Sequence, residues 1–78
     1  MNNVNRERII QFVHEATTSG NTLSGTSMTT LEDMAVEYGE QQRRLSDVER
    51  WFCKLQNKNF TGTKADTEWL DKWLSELP

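Results

Sequence analysis

Residues 31–55 read LEDMAVEYGEQQRRLSDVERWFCKL, and this stretch decides the fold. Its apolar residues recur every seven positions, with one gap at Gln41. Such a repeat is typical of an amphipathic helix that carries one continuous apolar stripe. We therefore predict a long central helix, or a broken pair of helices, between residues 30 and 57. The stripe consists of Leu31, Met34, Tyr38, Leu45, Val48, Phe52 and Leu55.

The stripe has two interpretations that the sequence leaves open. It can pack against other helices of the same chain as a core, or it can form the seam of a homodimer. The chain has 78 residues, which is enough for a single domain only. A core of this size rarely supplies more than about 3–5 kcal/mol, so self-association would add stability.

Two shorter helices are predicted on either side of the central segment. Residues 4–17 place Ile9, Phe12, Val13 and Ala16 at helical spacing, and residues 64–77 form a Trp-rich helix. Thr63 with Asp66 can cap that last helix, and its Trp69 and Trp73 are expected to lie in the core.

A loop is predicted between the first helix and the central segment. Residues 18–29 are mostly Thr, Ser, Gly and Asn, which favour turns. Thr29 lies three residues before Glu32, so these two residues could form a capping box that begins the central helix. The expected fold is therefore all-α, a small domain of three or four helices.

Residues 30–51, TLEDMAVEYGEQQRRLSDVERW, resemble the helix-turn-helix of phage and bacterial repressors. Ala35 matches the small residue between the helices, Gly39 the turn, and Leu45 and Val48 the inner face of the second helix. The resemblance covers less than a third of the chain. It implies that a recognition helix begins with Gln41, Gln42, Arg43 and Arg44. Gln and Arg are the side chains that pair bidentately with adenine and guanine.

The charges of the central segment suggest a binding surface of another kind. Glu37, Glu40, Arg43 and Arg44 lie off the apolar stripe, so we expect them to face solvent together with Gln41 and Gln42. Opposite charges so close in sequence offer both signs to a partner. We therefore predict a protein-interaction module of the inhibitor or adaptor type, with a protein as the expected partner and DNA as the alternative.

Composition limits the other classes of function. The net charge of −3 disfavours a general nucleic-acid binder. One His, His14, and one Cys, Cys53, are too few for a structural zinc site, so we expect no metal and no cofactor. The sequence contains no nucleophile–base motif, so we do not expect an enzyme.

The setting of the protein is expected to be the cytoplasm. No apolar run is long enough to span a membrane, and a single thiol fits a reducing compartment. We expect Cys53, beside Trp51 and Phe52, to be a buried small hydrophobe. Small acidic chains of this style are common among accessory proteins of phages and mobile elements, which is the setting we expect here.

Overall fold

A computed structural model describes residues 4–19 and 23–78. Within these residues the chain forms four helices and no strand, which confirms the all-α class. The helices are α1 (Arg6–Thr18), α2 (Gly25–Gln41), α3 (Leu45–Gln56) and α4 (Lys64–Ser75). None of the described helices is both long and apolar enough to cross a membrane.

Helix α1 begins after Asn5, whose side-chain oxygen accepts a hydrogen bond of 2.9 Å from the backbone N–H of Arg8. This capping bond satisfies one of the N–H groups that a helix start leaves without a partner. Ile9 and Val13 are fully buried, one helical turn apart. Val4 is buried too but precedes the cap, so the helix begins two residues later than predicted.

Helix α2 begins at Gly25, with Ser24 as its N-cap, and not at Thr30. The predicted capping box of Thr29 with Glu32 is wrong, because Thr29 lies inside the helix. Its hydroxyl donates to the backbone oxygen of Gly25 at 3.0 Å. Hydroxyls bonded in this way fit within a helix, so a Thr-rich stretch is not always a loop. The predicted loop over residues 18–29 is therefore shorter, and its residues 20–22 lie outside the described ones.

The central segment is a broken pair of helices, joined by the turn of residues 42–44. Gly39, expected at the turn, is instead buried inside α2. A Cβ atom on Gly39 would lie 2.9 Å from the Cα atom of Leu45, so glycine permits close packing of α2 on α3. The left-handed residue of the turn is Arg43, with φ of 57°. The expectation that Gln41–Arg44 begin the second helix is wrong, since α3 begins at Leu45.

The apolar stripe packs inside the chain. Five of its seven residues are buried, and Met34 and Leu45 are half-buried. Within a single chain the stripe is therefore core, and no second copy is needed to cover it. The buried five are Leu31, Tyr38, Val48, Phe52 and Leu55.

Helix α4 closes the core through an aromatic pair. The indoles of Trp51 and Trp73 stack with ring centroids 3.9 Å apart, and each N–H donates to the other residue's backbone oxygen, at 2.6 and 2.7 Å. The prediction that Trp73 lies in the core is confirmed, since it is 2% exposed, whereas Trp69 is only partly buried against the core. The Tyr38 hydroxyl donates to the backbone oxygen of Pro78 at 2.5 Å, which fixes the residues after α4.

Candidate functional site

The six polar residues predicted to bind a partner lie together at the end of α2 and in the turn after it. We call them the turn site. All are exposed except Glu37, which is half-buried. They are Glu37, Glu40, Gln41, Gln42, Arg43 and Arg44.

The backbone of the turn site forms a Schellman motif, the common way to end a helix. The N–H of Arg44 donates to the oxygen of Gly39 at 2.8 Å, and the N–H of Arg43 donates to the oxygen of Glu40 at 3.2 Å. This motif places one residue in the left-handed conformation, usually a glycine. Here that residue is Arg43. The left-handed conformation costs a residue with a Cβ atom roughly 1–2 kcal/mol.

Among residues 4–19 and 23–78, no hydrogen bond or ion pair of the Arg43 side chain offsets this cost. The residue is exposed, and its guanidinium makes no hydrogen bond or ion pair with any residue that the structure describes. The neighbouring Arg44 is different, since its Nε lies 3.6 Å from a carboxylate oxygen of Asp47. Arg43 therefore presents an exposed cation, without an ion-pair partner in the described part of the chain, on a strained backbone in the turn between α2 and α3.

The two amides of the turn site have neighbours on α2 and near the N-terminal end of α1. Gln41 donates from its side chain to a carboxylate oxygen of Glu37 at 3.3 Å, one helical turn back. Gln41 and Gln42 also line a shallow depression together with Val4 and Asn5. The turn site thus contains two carboxylates, two amides and two guanidinium groups within one small surface.

A second surface, which the sequence did not reveal, is a cleft of about 210 Å³ between α2 and α3. We call it the α2–α3 groove. Cys53 lines it and is exposed, so the prediction that this thiol is buried is wrong. Two residues of the apolar stripe, Val48 and Phe52, line one part of the groove, and the rest of its lining lies off the stripe. Its lining residues are Glu32, Ala35, Val36, Val48, Glu49, Phe52, Cys53 and Gln56.

A buried carboxylate, that of Asp66, lies away from both surfaces, at the start of α4. Burial of Asp66 acts to raise the pKa of its carboxyl group. Hydrogen bonds from backbone N–H groups and the nearby ammonium of Lys58 act in the opposite direction, and the pKa is lowered overall. The backbone donors are Gly62, Thr61 and Thr63. The Asp66 carboxylate accepts the N–H of Thr63, the N-cap, at 3.3 Å, so the predicted pairing of these two residues at the helix start is confirmed.

This Asp66 cluster is fully explained by the capping of α4. Lys58 lies 3.5 Å from Asp66 and also stands over the Trp69 ring at 5.5 Å. Across residues 4–19 and 23–78, no three His, Cys, Asp or Glu side chains are grouped so that they could hold a metal ion. The turn site and the α2–α3 groove are the two candidate binding surfaces.

Comparisons with protein families, with curated proteins and with solved structures give no match for this chain.

Proposed function

We propose that this chain is a non-enzymatic protein-interaction module, of the inhibitor or adaptor type, that binds a macromolecular partner through the turn site. The observation that carries the proposal is the left-handed backbone of Arg43, an exposed residue. A glycine would occupy its left-handed backbone without strain, and the Arg43 side chain contributes no hydrogen bond or ion pair to the described part of the chain. Strained exposed residues of this kind cluster at functional sites.

The charges of the turn site favour a protein as the partner. Glu40 and Arg43 are exposed and of opposite sign, three positions apart. A protein surface carries both signs and can complement both groups, whereas DNA would repel the carboxylate. Mixed charge of this kind fixes the orientation of a partner and speeds its association.

We place this activity in the cytoplasm, in an accessory protein of a phage or mobile element. The support is compositional: the chain is short, carries a net charge of −3 and has a single cysteine. A cysteine that is exposed, as Cys53 is, persists as a thiol in a reducing compartment.

A pull-down with the tagged protein from an extract of the encoding organism tests the proposal. Reversing both cations of the turn site, with Arg43→Glu and Arg44→Glu, should abolish capture of the protein partner and leave folding intact. The matched control is Lys64→Glu with Lys72→Glu, which changes the net charge equally at exposed positions of α4. Equal capture by both double variants would contradict the proposal.

A helix-turn-helix DNA-binding regulator is the second candidate, favoured by two helices joined through a short turn and packed closely at Gly39. With α3 as the recognition helix, its first turns would bring Asp47 and Glu49 towards phosphates, which disfavours binding. If this candidate is right, Gln42 and Arg43 would contact the duplex from the turn that precedes α3, and Arg43→Ala and Gln42→Ala should each cost about 1–3 kcal/mol on a selected duplex. Absence of salt-dependent binding to any selected duplex would exclude it.

A further inference from the structure

The α2–α3 groove combines an apolar floor with an acidic border. Val36 and Phe52 contribute apolar surface, and Glu32 on α2 and Glu49 on α3 line the same cleft. Both carboxylates are exposed, and neither forms an ion pair or side-chain hydrogen bond with another residue in the described part of the chain. No Lys, Arg or His is among the lining residues.

We infer that this groove binds an amphipathic helical segment of a protein partner, whose apolar face is bordered by Lys or Arg side chains. The inference rests on the proposed function as a protein-interaction module and names the chemistry of the partner. The partner's apolar side chains would cover the floor, and its cations would pair with Glu32 on one side and Glu49 on the other.

The size and shape of the groove favour a helix over a small molecule. Pockets for drug-sized ligands enclose about 300–1,000 Å³, whereas this cleft holds about 210 Å³ and lies open between two helices. An open cleft of that size fits a few side chains that project from one face of a helix. Helix-in-groove recognition uses apolar anchors at i, i+3 or i+4, and i+7 in this way.

The negative charge of the groove's border favours basic residues on the partner helix. Two unpaired carboxylates would repel an acidic helix and attract a basic one, and the apolar floor alone would not distinguish the two. The groove should therefore discriminate between helices of equal apolar content by the sign of their flanking charges.

The test uses two synthetic helical peptides of about four turns, with leucines at the anchor positions. One carries Lys at all flanking positions and the other carries Glu. The intact protein should bind the Leu/Lys peptide in a calorimetric titration and show no binding of the Leu/Glu peptide. At saturation, the Leu/Lys peptide should slow alkylation of Cys53 by about tenfold or more, because that thiol lines the groove.

Charge reversal at the border, with Glu32→Lys and Glu49→Lys, should weaken the Leu/Lys peptide by about tenfold or more. Glu68→Lys with Asp71→Lys is the matched control, since both positions are exposed on α4 and the net charge changes equally. Val36→Gln should weaken binding without a change of net charge. Thermal midpoints establish that each variant is folded.

Any of three results with the peptides would overturn the inference: equal affinity for both peptides, equal weakening by the border variant and its control, or alkylation of Cys53 at an unchanged rate. Binding of a second copy in the groove, seen as a dimer by sedimentation, would overturn it as well. Failure here is distinguishable from failure of the proposed function. The groove inference alone would be rejected if the Leu/Lys peptide did not bind while capture of the protein partner still depended on Arg43. The proposal that the turn site binds a partner would then remain.

Discussion

Gly39 of α2 lies directly against the backbone of Leu45 in α3: a Cβ atom on Gly39 would stand 2.9 Å from the Leu45 Cα atom. Side chains do not approach a backbone atom so closely, so Gly39→Ala must push the two helices apart. Overpacking of this kind costs about 1–3 kcal/mol, and the better helix propensity of alanine returns about 1 kcal/mol. We expect a net loss of up to about 2 kcal/mol by denaturant unfolding.

Gly25→Ala is the matched control for this prediction, because nothing lies within 4 Å of the position where its Cβ would be placed. It should be neutral or slightly stabilising. A Gly39→Ala variant that is as stable as the Gly25→Ala variant would show that α2 and α3 do not pack at this distance.

Trp73 should be indispensable for folding. It is 2% exposed, stacks on Trp51 and exchanges two hydrogen bonds with it. Truncation of a buried Trp costs about 3–5 kcal/mol, which equals the stability expected of so small a core. Circular dichroism of Trp73→Ala should therefore show an unfolded chain, and Trp69→Ala, at a partly buried position, should remain folded. A cooperative thermal transition in Trp73→Ala would contradict the described core.

Asp66 should make the stability depend on acid pH. Because its pKa is lowered in the folded state, the carboxylate stabilises the fold fully above its ordinary pKa of 3.8, and this contribution is lost as the pH falls through the lower folded value. Asp66→Asn removes the titrating group. The difference in thermal midpoint between the parent and this variant should be largest at neutral pH and shrink below about pH 4. A constant difference across this range would refute the assignment.

We predict a monomer, because most of the apolar stripe is buried within one chain. Leu31 and Leu55 are at most 2% exposed within a single chain, and five of the seven stripe residues are buried, so little of the stripe is left for a second copy to cover. Sedimentation equilibrium at micromolar concentration should give the monomer mass of 9.1 kDa. A dimer mass would require an interface other than the predicted seam.

The parts of the fold that depend on local signals could be predicted from the sequence. The pairing of Thr63 with Asp66 and the burial of Trp73 follow from residue spacing, and both are present in the structure. The start of α2 could not be predicted, because the hydroxyls of residues such as Thr29 suit a turn and a helix interior equally well.

The break between α2 and α3 was harder to predict. The sequence suggests Gly39 as the turn residue. In the structure, Gly39 instead allows the close approach of Leu45, and the chain turns at Arg43. No sequence signal marks an arginine for a left-handed backbone. The α2–α3 groove likewise depends on how the two helices pack. Its lining residues, such as Val36 and Cys53, therefore do not predict it from the sequence.

We propose that Arg43 serves binding and not folding, and one variant separates these two roles. Arg43→Gly removes the cation and relieves the left-handed backbone at φ of 57°, which is worth about 1–2 kcal/mol. The greater freedom of glycine in the unfolded chain offsets about 0.5–1 kcal/mol of this gain. The thermal midpoint should therefore stay constant or rise slightly. Affinity for the protein partner captured by the parent chain should fall by about tenfold or more in the same variant, measured by titration. Parent-like affinity in a folded Arg43→Gly variant would contradict the account.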